Sequence, residues 1–512
     1  MTRTAADRMF PEVTTAQGRV RGLAVNGVGM FKGLRYGADT SGANRYRPPQ
    51  PPPDWTGVRD ATAYGNFAPQ HPTSRKSRYM DLILYDIQPG GMGEDCLVLN
   101  IWTPALGETA KRPVMVHLHG GGWYAGTGNS PQFDGQKMAE AHGVVFVSVN
   151  HRIGSFGFLD LEGIGGERFA GSGAAGMADV VAALGWVNEN IAEFGGDPGR
   201  VLVFGQSGGG AKTSTLLAMP SARGLFHRAG IMSGSALQLG DPAATTAMAD
   251  RFLGLLGLSR DSLDRLQDMP MQQLLAAQIA LEDEDRRKGE APRPFIPVVR
   301  DNGPIPRHPI DMVNDGEIDI PVIVGTTLDE RTYRRSDFEM SGAELAAEAA
   351  TVLGDGSDRL LQMYRDEDPG TTPYLLRARL DTDLTFRLAA WKMSEALARA
   401  GTPTRAYLWS LPSPAWAGRF GATHGVDLGP SLADIRLGLN GPDDTWADVA
   451  ATMSGLWASF AADGVPAGGG IDWPAFALPD RQTLVIGPDA TFRPVADPRG
   501  PIRTAIMQRM AG

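Results

Sequence analysis

The sequence predicts an α/β fold, a mostly parallel sheet with helices on both faces, and three observations carry that prediction. From Pro113 onward, short apolar runs alternate with longer helical stretches. One run, residues 201–204, leads through Gly205-Gln206-Ser207-Gly208-Gly209 into an apolar helical stretch over 211–219, a strand-turn-helix unit. The chain has 512 residues, 42% of them hydrophobic, and no internal repeat, which suits one large unit over 1–512.

Taken in order, residues 18–23 and 28–32 are short runs around Asn26-Gly27, a hairpin signal. The prolines of residues 47–55 lack the donors that a helix or central strand needs, so this stretch reads as a surface wrap. A strand is expected at 97–103, then further strands at 114–118, 144–150, 201–204, 229–232, 322–324 and 406–411. Helices are expected at 179–194, 245–256, 342–353, 384–400 and 445–462. Stretches 240–318 and 335–400 carry helices without strands and read as insertions that rim or cap a site at the carboxyl ends of the strands.

Composition narrows the function. The net charge of −10, with no long basic block, argues against nucleic acid or an anionic membrane as partner. Residues 1–11 have no apolar core of a secretory signal, and no run reaches the length of a membrane span. Residues 502–512 contain Arg503 and Arg509, so they form no hydrophobic anchor. The single cysteine, Cys96, excludes an internal disulfide and a cysteine metal cluster. A cytoplasmic protein is expected.

The segment 205–209 fits G-x-S-x-G, in which small residues let a serine stand on a tight elbow above the sheet. A glycine turn in a strand-helix loop is the plainer alternative. A phosphate-binding loop is the sharper one, but Ala211 stands where its lysine belongs and Lys212 comes one position late. A serine nucleophile needs a base, an orienting acid and an oxyanion hole. In the chain order Ser, acid, His, the base is sought among His227, His308 and His424. His227 follows Ser207 too soon for an acid on another strand to intervene, and His308 lies in a proline-broken loop. His424, in the small-residue loop after the strand 406–411, fits best. For the acid, Asp329 and Glu330 both qualify at the end of the strand 322–324, and either could instead begin a helix. His119-Gly120-Gly121-Gly122-Trp123 follows the strand 114–118 and offers bare backbone N–H groups to a substrate oxygen. A dinucleotide site is not supported, because it would leave the elbow serine unexplained.

These motifs together resemble the type-B carboxylesterase family, the cholinesterase-like branch of the α/β-hydrolase fold. The resemblance spans about residues 13–480 and includes Phe31-Lys32-Gly33-Leu34, Glu94-Asp95-Cys96-Leu97, Asn150-His151-Arg152-Ile153-Gly154 and Phe194-Gly195-Gly196-Asp197-Pro198, besides the elbow, 233–235, 325–330 and 421–424. It implies Ser207 as nucleophile, Glu330 as acid, His424 as base, and the N–H groups of Gly121, Gly122 and Gly208 as oxyanion donors. It implies support of the triad by Ser233 and a place beside it for Gln206. The implied activity is hydrolysis of carboxylic esters through an acyl-enzyme, without metal or organic cofactor. Amide or carbamate hydrolysis, or a non-catalytic binding protein on the same fold, are the alternatives. Two departures stand out. Gln206 and Gly208 replace the glutamate and alanine usual at the elbow, and Cys96 has no partner cysteine in Ala68-Pro69-Gln70-His71-Pro72. The loop before Cys96 has no tryptophan either, so a choline cage is not supported and a neutral, partly apolar ester is expected. Trp123, Tyr124, Trp409, Trp416 and Phe420 are candidates for an apolar pocket wall.

Overall fold

The computed structural model describes residues 9–71, 78–83, 88–107, 109–288, 295–436 and 438–510. Among them are fourteen strands: β1 (Glu12–Thr15), β2 (Gly18–Arg21), β3 (Leu23–Val25), β4 (Val28–Arg35), β5 (Val58–Asp60), β6 (Val98–Thr103), β7 (Arg112–Leu118), β8 (Val145–Val149), β9 (Gly196–Gln206), β10 (Arg228–Met232), β11 (Val322–Thr327), β12 (Thr404–Trp409), β13 (Thr483–Ile486) and β14 (Phe492–Val495). Eleven form one sheet in the order β14-β13-β12-β11-β10-β9-β7-β8-β6-β4-β3, and β1, β2 and β5 form a small second sheet. The run from β13 to β8 pairs in parallel, and the margins at β14, β6, β4 and β3 are antiparallel.

Side-chain alternation along the central strands divides the interior in two. Val114, Val116, Val201, Val203, Ala229, Ile231, Val322 and Val324 join a core with the helix Ala175–Asn190. Met115, Leu202, Phe204, Met232 and Ile323 join a core on the other face with the helix Asp444–Asp463. Trp457 of that helix lies 5.5 Å from the Phe204 ring, and a Cβ at Gly230 would run into it. Strands covered on both faces can be apolar at every position, which is why short unbroken apolar runs marked them.

The expected hairpin exists with a different first strand. Asn26 and Gly27, both at positive φ (52° and 83°), join β3 to β4, while β2 pairs with β1 and β5 in the small sheet. The break falls at Gly22, where a Cβ would meet the Met30 carbonyl and the Phe31 ring. The helix expected over 179–194 runs Ala175–Asn190, and the one over 384–400 opens with a π-helical turn, Asp383–Arg387, before Leu388–Arg399.

Insertion 240–318 contributes the helices Pro242–Leu255 and Met271–Arg287, and 335–400 contributes Gly342–Leu353, Ser357–Glu367 and Pro373–Thr382. The latter three build a satellite core with Ile502 and Ile506 of the last helix. Residues 1–8 and 511–512 of the terminal segments read above lie outside the described residues, as do 72–77 and 84–87 of the loop before Cys96. What is described of that loop is held without a disulfide: Gln70 exchanges two hydrogen bonds with Gly126, at 3.0 and 2.8 Å. Among the described residues no single helix is long and apolar enough to cross a membrane.

Candidate active site

At the end of β9 the chain turns into the helix Gly208–Leu216 through Ser207, at φ 60° and ψ −122°. A non-glycine residue pays on the order of 1–3 kcal/mol for such a conformation, so its surroundings must enforce it. The Ser207 N–H donates to the Met232 carbonyl (2.8 Å), and the Ser207 carbonyl accepts from Ala211 N–H (3.0 Å). The neighbouring glycines are steric requirements: a Cβ at Gly205 would stand 2.5 Å from the Leu118 carbonyl oxygen, and one at Gly209 would collide with the same atom.

Glu330 and His424 meet from strands β11 and β12. Glu330 Oε2 lies 2.5 Å from His424 Nδ1, and its Oε1 accepts the Thr327 N–H at 2.8 Å. Burial raises the cost of the Glu330 charge. The imidazole, the adjacent Ser233 hydroxyl and the Thr327 amide outweigh it and hold the carboxyl below its ordinary range. Ser233, itself at φ 49°, stands near this carboxylate without a well-aligned hydrogen bond. Tyr333 stacks on the imidazole (4.8 Å between centroids, 26°), Phe386 touches it at 5.0 Å, and Tyr79 donates to the His424 carbonyl. The other two histidines sit elsewhere: His227 Nδ1 accepts from Val201 N–H (3.3 Å) and His308 Nδ1 from Leu239 N–H (3.1 Å).

Asp329 stands at the N-cap of the 3-10 turn Glu330–Arg334, but its side chain makes no capping hydrogen bond. It is buried; its Oδ1 pairs with Arg379 Nε (2.7 Å) and its Oδ2 accepts the Ala422 N–H (2.8 Å), so it pins the loop that carries His424.

The glycine loop lies against the elbow. A Cβ at Gly208 would come within 2.5 Å of Gly122 N, so the alanine usual in the family cannot stand here with the two backbones this close. Gly121 and Gly122 have φ 89° and 62°. Among the described residues the N–H groups of Gly121, Gly122 and Gly208 have no backbone acceptor, the last because it opens a helix. Gly121, Gly122, Ser207 and His424 border one cavity of about 320 Å³, and Gly208 follows directly behind Ser207. Trp123 and Tyr124 line it as expected, with Leu82, Leu428 and Leu439. Trp409 is instead buried in the core, Trp416 is exposed, and Phe420 lies behind Tyr79 at 6.2 Å. No described residue of insertion 240–318 lines the cavity, and 335–400 reaches the site through Phe386 against the imidazole.

The carboxylesterase family model matches residues 10–498. The chain belongs to the carboxylesterase family. It is 33% identical over 501 residues to a para-nitrobenzyl esterase of Bacillus subtilis, covering 94% of this chain and 95% of that one. It is 33% identical over 498 residues to a phenmedipham hydrolase of Pseudarthrobacter oxydans, covering 93% and 95%. Among solved structures, carboxylesterase EST55 of Geobacillus stearothermophilus superposes with a TM-score of 0.82 at 32% identity, covering 96% of this chain and 99% of that one. The α/β-hydrolase fold follows from the same likeness.

Gln206 stands beside the imidazole, and two further residues of this carboxylesterase, Arg387 and Lys212, were not legible as site residues. Gln206 Nε2 stands 3.1 Å from His424 Nε2, the imidazole nitrogen not engaged by Glu330. Arg387, buried, donates to the Thr327 and Leu328 carbonyls and pairs with Asp383 (2.6 Å), which fixes the turn ahead of Glu330. Lys212, noticed in the sequence only as a misplaced phosphate-loop lysine, is fully buried, and its ammonium donates to the His119 carbonyl (2.9 Å) just before the glycine loop.

Burial pushes the Lys212 ammonium down to about 7, and His117, His119 and His151 around it are held neutral chiefly by burial too. Below pH 7 the folded chain carries this charge with no carboxylate partner among the described residues. Between pH 7 and the ordinary lysine range, the unfolded chain binds the proton and the folded chain does not, so stability rises with pH. Lys212→Met therefore melts a few degrees above wild type at pH 6, and the gap closes as pH climbs towards 10. Its kcat falls because the glycine loop loses an anchor. Melting curves across that pH range check the first statement; a gap constant with pH overturns it.

Proposed function

We propose that this carboxylesterase is a serine ester hydrolase that works through an acyl-enzyme on Ser207. The observation that carries the reading is the 2.5 Å contact between Glu330 and His424 Nδ1, on the wall of the cavity that Ser207 enters from its strained elbow. Glu330 fixes the imidazole tautomer, leaving Nε2 as the base. In the resting site that nitrogen faces the Gln206 amide, so the catalytic step exchanges this neighbour for the Ser207 hydroxyl. Ser207 attacks the ester carbonyl as His424 takes its proton. The N–H groups of Gly121, Gly122 and Gly208 receive the oxyanion, each such donor typically contributing about 10²–10³ in rate. His424 returns the proton to the departing alcohol, and water then repeats the sequence on the acyl-enzyme. None of these steps calls for a metal or organic cofactor.

Nitrophenyl esters of increasing acyl length, run beside matched amides and carbamates, test the reading; turnover of amides alone would overturn it. Similarity to a phenmedipham hydrolase favours carbamates as the second reading. A purely binding role is disfavoured because Ser207, Glu330 and His424 are all present. A reducing compartment such as the cytoplasm suits the single thiol, Cys96, which is buried and pushed well above its ordinary range by that burial.

Gln206 is neutral at the elbow position where relatives carry glutamate, and the loop before Cys96 has no tryptophan. The enzyme accordingly shows no preference for a choline ester over its isosteric neutral ester. A ten-fold advantage in kcat/KM for the cation, about 1.4 kcal/mol of transition-state binding, would contradict this.

A further inference from the structure

The expectation of a neutral substrate rests on Gln206 and on the missing tryptophan before Cys96, and the cavity holds more charge information than that. Among the described residues lining it, no side chain is an aspartate or glutamate, and Arg334 is the one with a permanent charge. Glu330 does not offset it, being fully buried behind His424 and already engaged there.

Arg334 ends the 3-10 turn Glu330–Arg334, so the turn that supplies Glu330 and the ring stacked on His424 also delivers a guanidinium to the cavity mouth. Its Nε donates to the Tyr333 hydroxyl (2.7 Å), its carbon lies 5.1 Å from the Tyr333 ring, and the Tyr124 phenol interacts with it as well. Burial pushes the Tyr124 phenol above its ordinary range. Among the described residues Arg334 has no carboxylate within ion-pair distance. Its neighbour Arg335 is saturated, by Asp337 (2.6 Å) and Glu348 (3.0 Å). Two tyrosines thus orient a five-donor fork and leave part of it unused; the carboxylate felt at Tyr124, that of Glu282, does not line the cavity and is paired with Arg286 (3.2 Å). Such a fork matches a carboxylate in a planar, two-bond arrangement.

We propose that Arg334 binds an anionic group of the substrate, so that this carboxylesterase acts on esters bearing a second, free carboxylate. The inference deepens the ester-hydrolase reading and rests on it. The chemical class comprises half-esters of dicarboxylic acids and acyl esters of hydroxy acids. Tyr333 and Tyr124 hold the guanidinium; the substrate carboxylate completes its hydrogen bonds; the apolar wall of Leu82, Leu428 and Leu439 takes the remaining carbon chain.

The test compares each anionic ester with its carboxamide, which keeps the shape and removes the charge. One arm places the carboxylate on the alcohol half, butyryloxyacetate against butyryloxyacetamide. The other places it on the acyl half, monoethyl succinate against ethyl succinamate. In at least one arm the anion is favoured by about ten-fold or more in kcat/KM, and the arm identifies the half of the ester that faces Arg334. That ratio collapses towards one in Arg334→Gln and is partly kept in Arg334→Lys, which retains a point charge without the fork. In wild type it also shrinks as sodium chloride is raised from about 0.01 to 1 M, because screening weakens an exposed ion pair. A ratio near or below one in both arms overturns the inference while leaving the ester reading intact. So does a ratio that survives Arg334→Gln. If neither anion nor amide is hydrolysed while carbamates are, the ester reading itself fails.

Discussion

Ser207→Ala abolishes hydrolysis of nitrophenyl esters and, with it, covalent labelling by an organophosphonate, which wild type takes up once, on Ser207. The expected loss in kcat is about 10⁶, the scale seen when the nucleophile of a serine triad is removed. The substitution keeps the Cβ and deletes the hydroxyl oxygen alone. The elbow is enforced by the backbone bonds to Met232 and Ala211 and by the glycines packed under Leu118, none of which involves that oxygen. The variant therefore folds, and its melting curve overlays that of wild type within a few degrees. Peptide mapping of the labelled protein locates the adduct. Wild type that turns over esters while carrying the label on another residue would sink the assignment.

Glu330→Gln lowers kcat by about 10³–10⁴ with the protein still folded, because an amide at this position no longer enforces the imidazole tautomer or stabilises its charged form. Asp329→Asn, one residue away, costs less than about ten-fold in kcat. Its carboxylate serves Arg379 and the Ala422 amide, so the loss appears in thermal stability, where a buried arginine loses one of its two carboxylate charges and keeps Asp368 at 2.9 Å. Steady-state kinetics beside melting curves separate the two. The reverse order, with both variants folded by circular dichroism, would make Asp329 the acid. The pH dependence of wild type follows from the same contact. Glu330 is held below its ordinary carboxyl range, so its support of the imidazole is present above that range and is lost only as pH falls through the lowered value.

Much of this molecule can be read along the chain because the information is steric and local. Apolar runs buried on both faces mark the central strands. Gly205 and Gly209 mark an elbow that no side chain fits, and Asn26-Gly27 marks a turn that needs positive φ twice. Residue type by itself encodes those demands, and with them the fold class, the serine on its elbow and the glycine loop. Partner choice among buried polar groups is different in kind. The acid could be Asp329 or Glu330 on position alone; which one reaches the imidazole depends on a turn held by Arg387, some sixty residues on at Thr327, and on Arg379 claiming its neighbour. Gln206 meets His424 across 218 positions, and Lys212 meets His119 across 93. Arg334, one arginine in a run of charged residues, acquires meaning only where the cavity brings it beside two phenols and no carboxylate. A buried charge is stable or reactive according to what surrounds it in three dimensions. The sequence alone therefore determined which groups are available for catalysis, and the tertiary structure decided which of them meet.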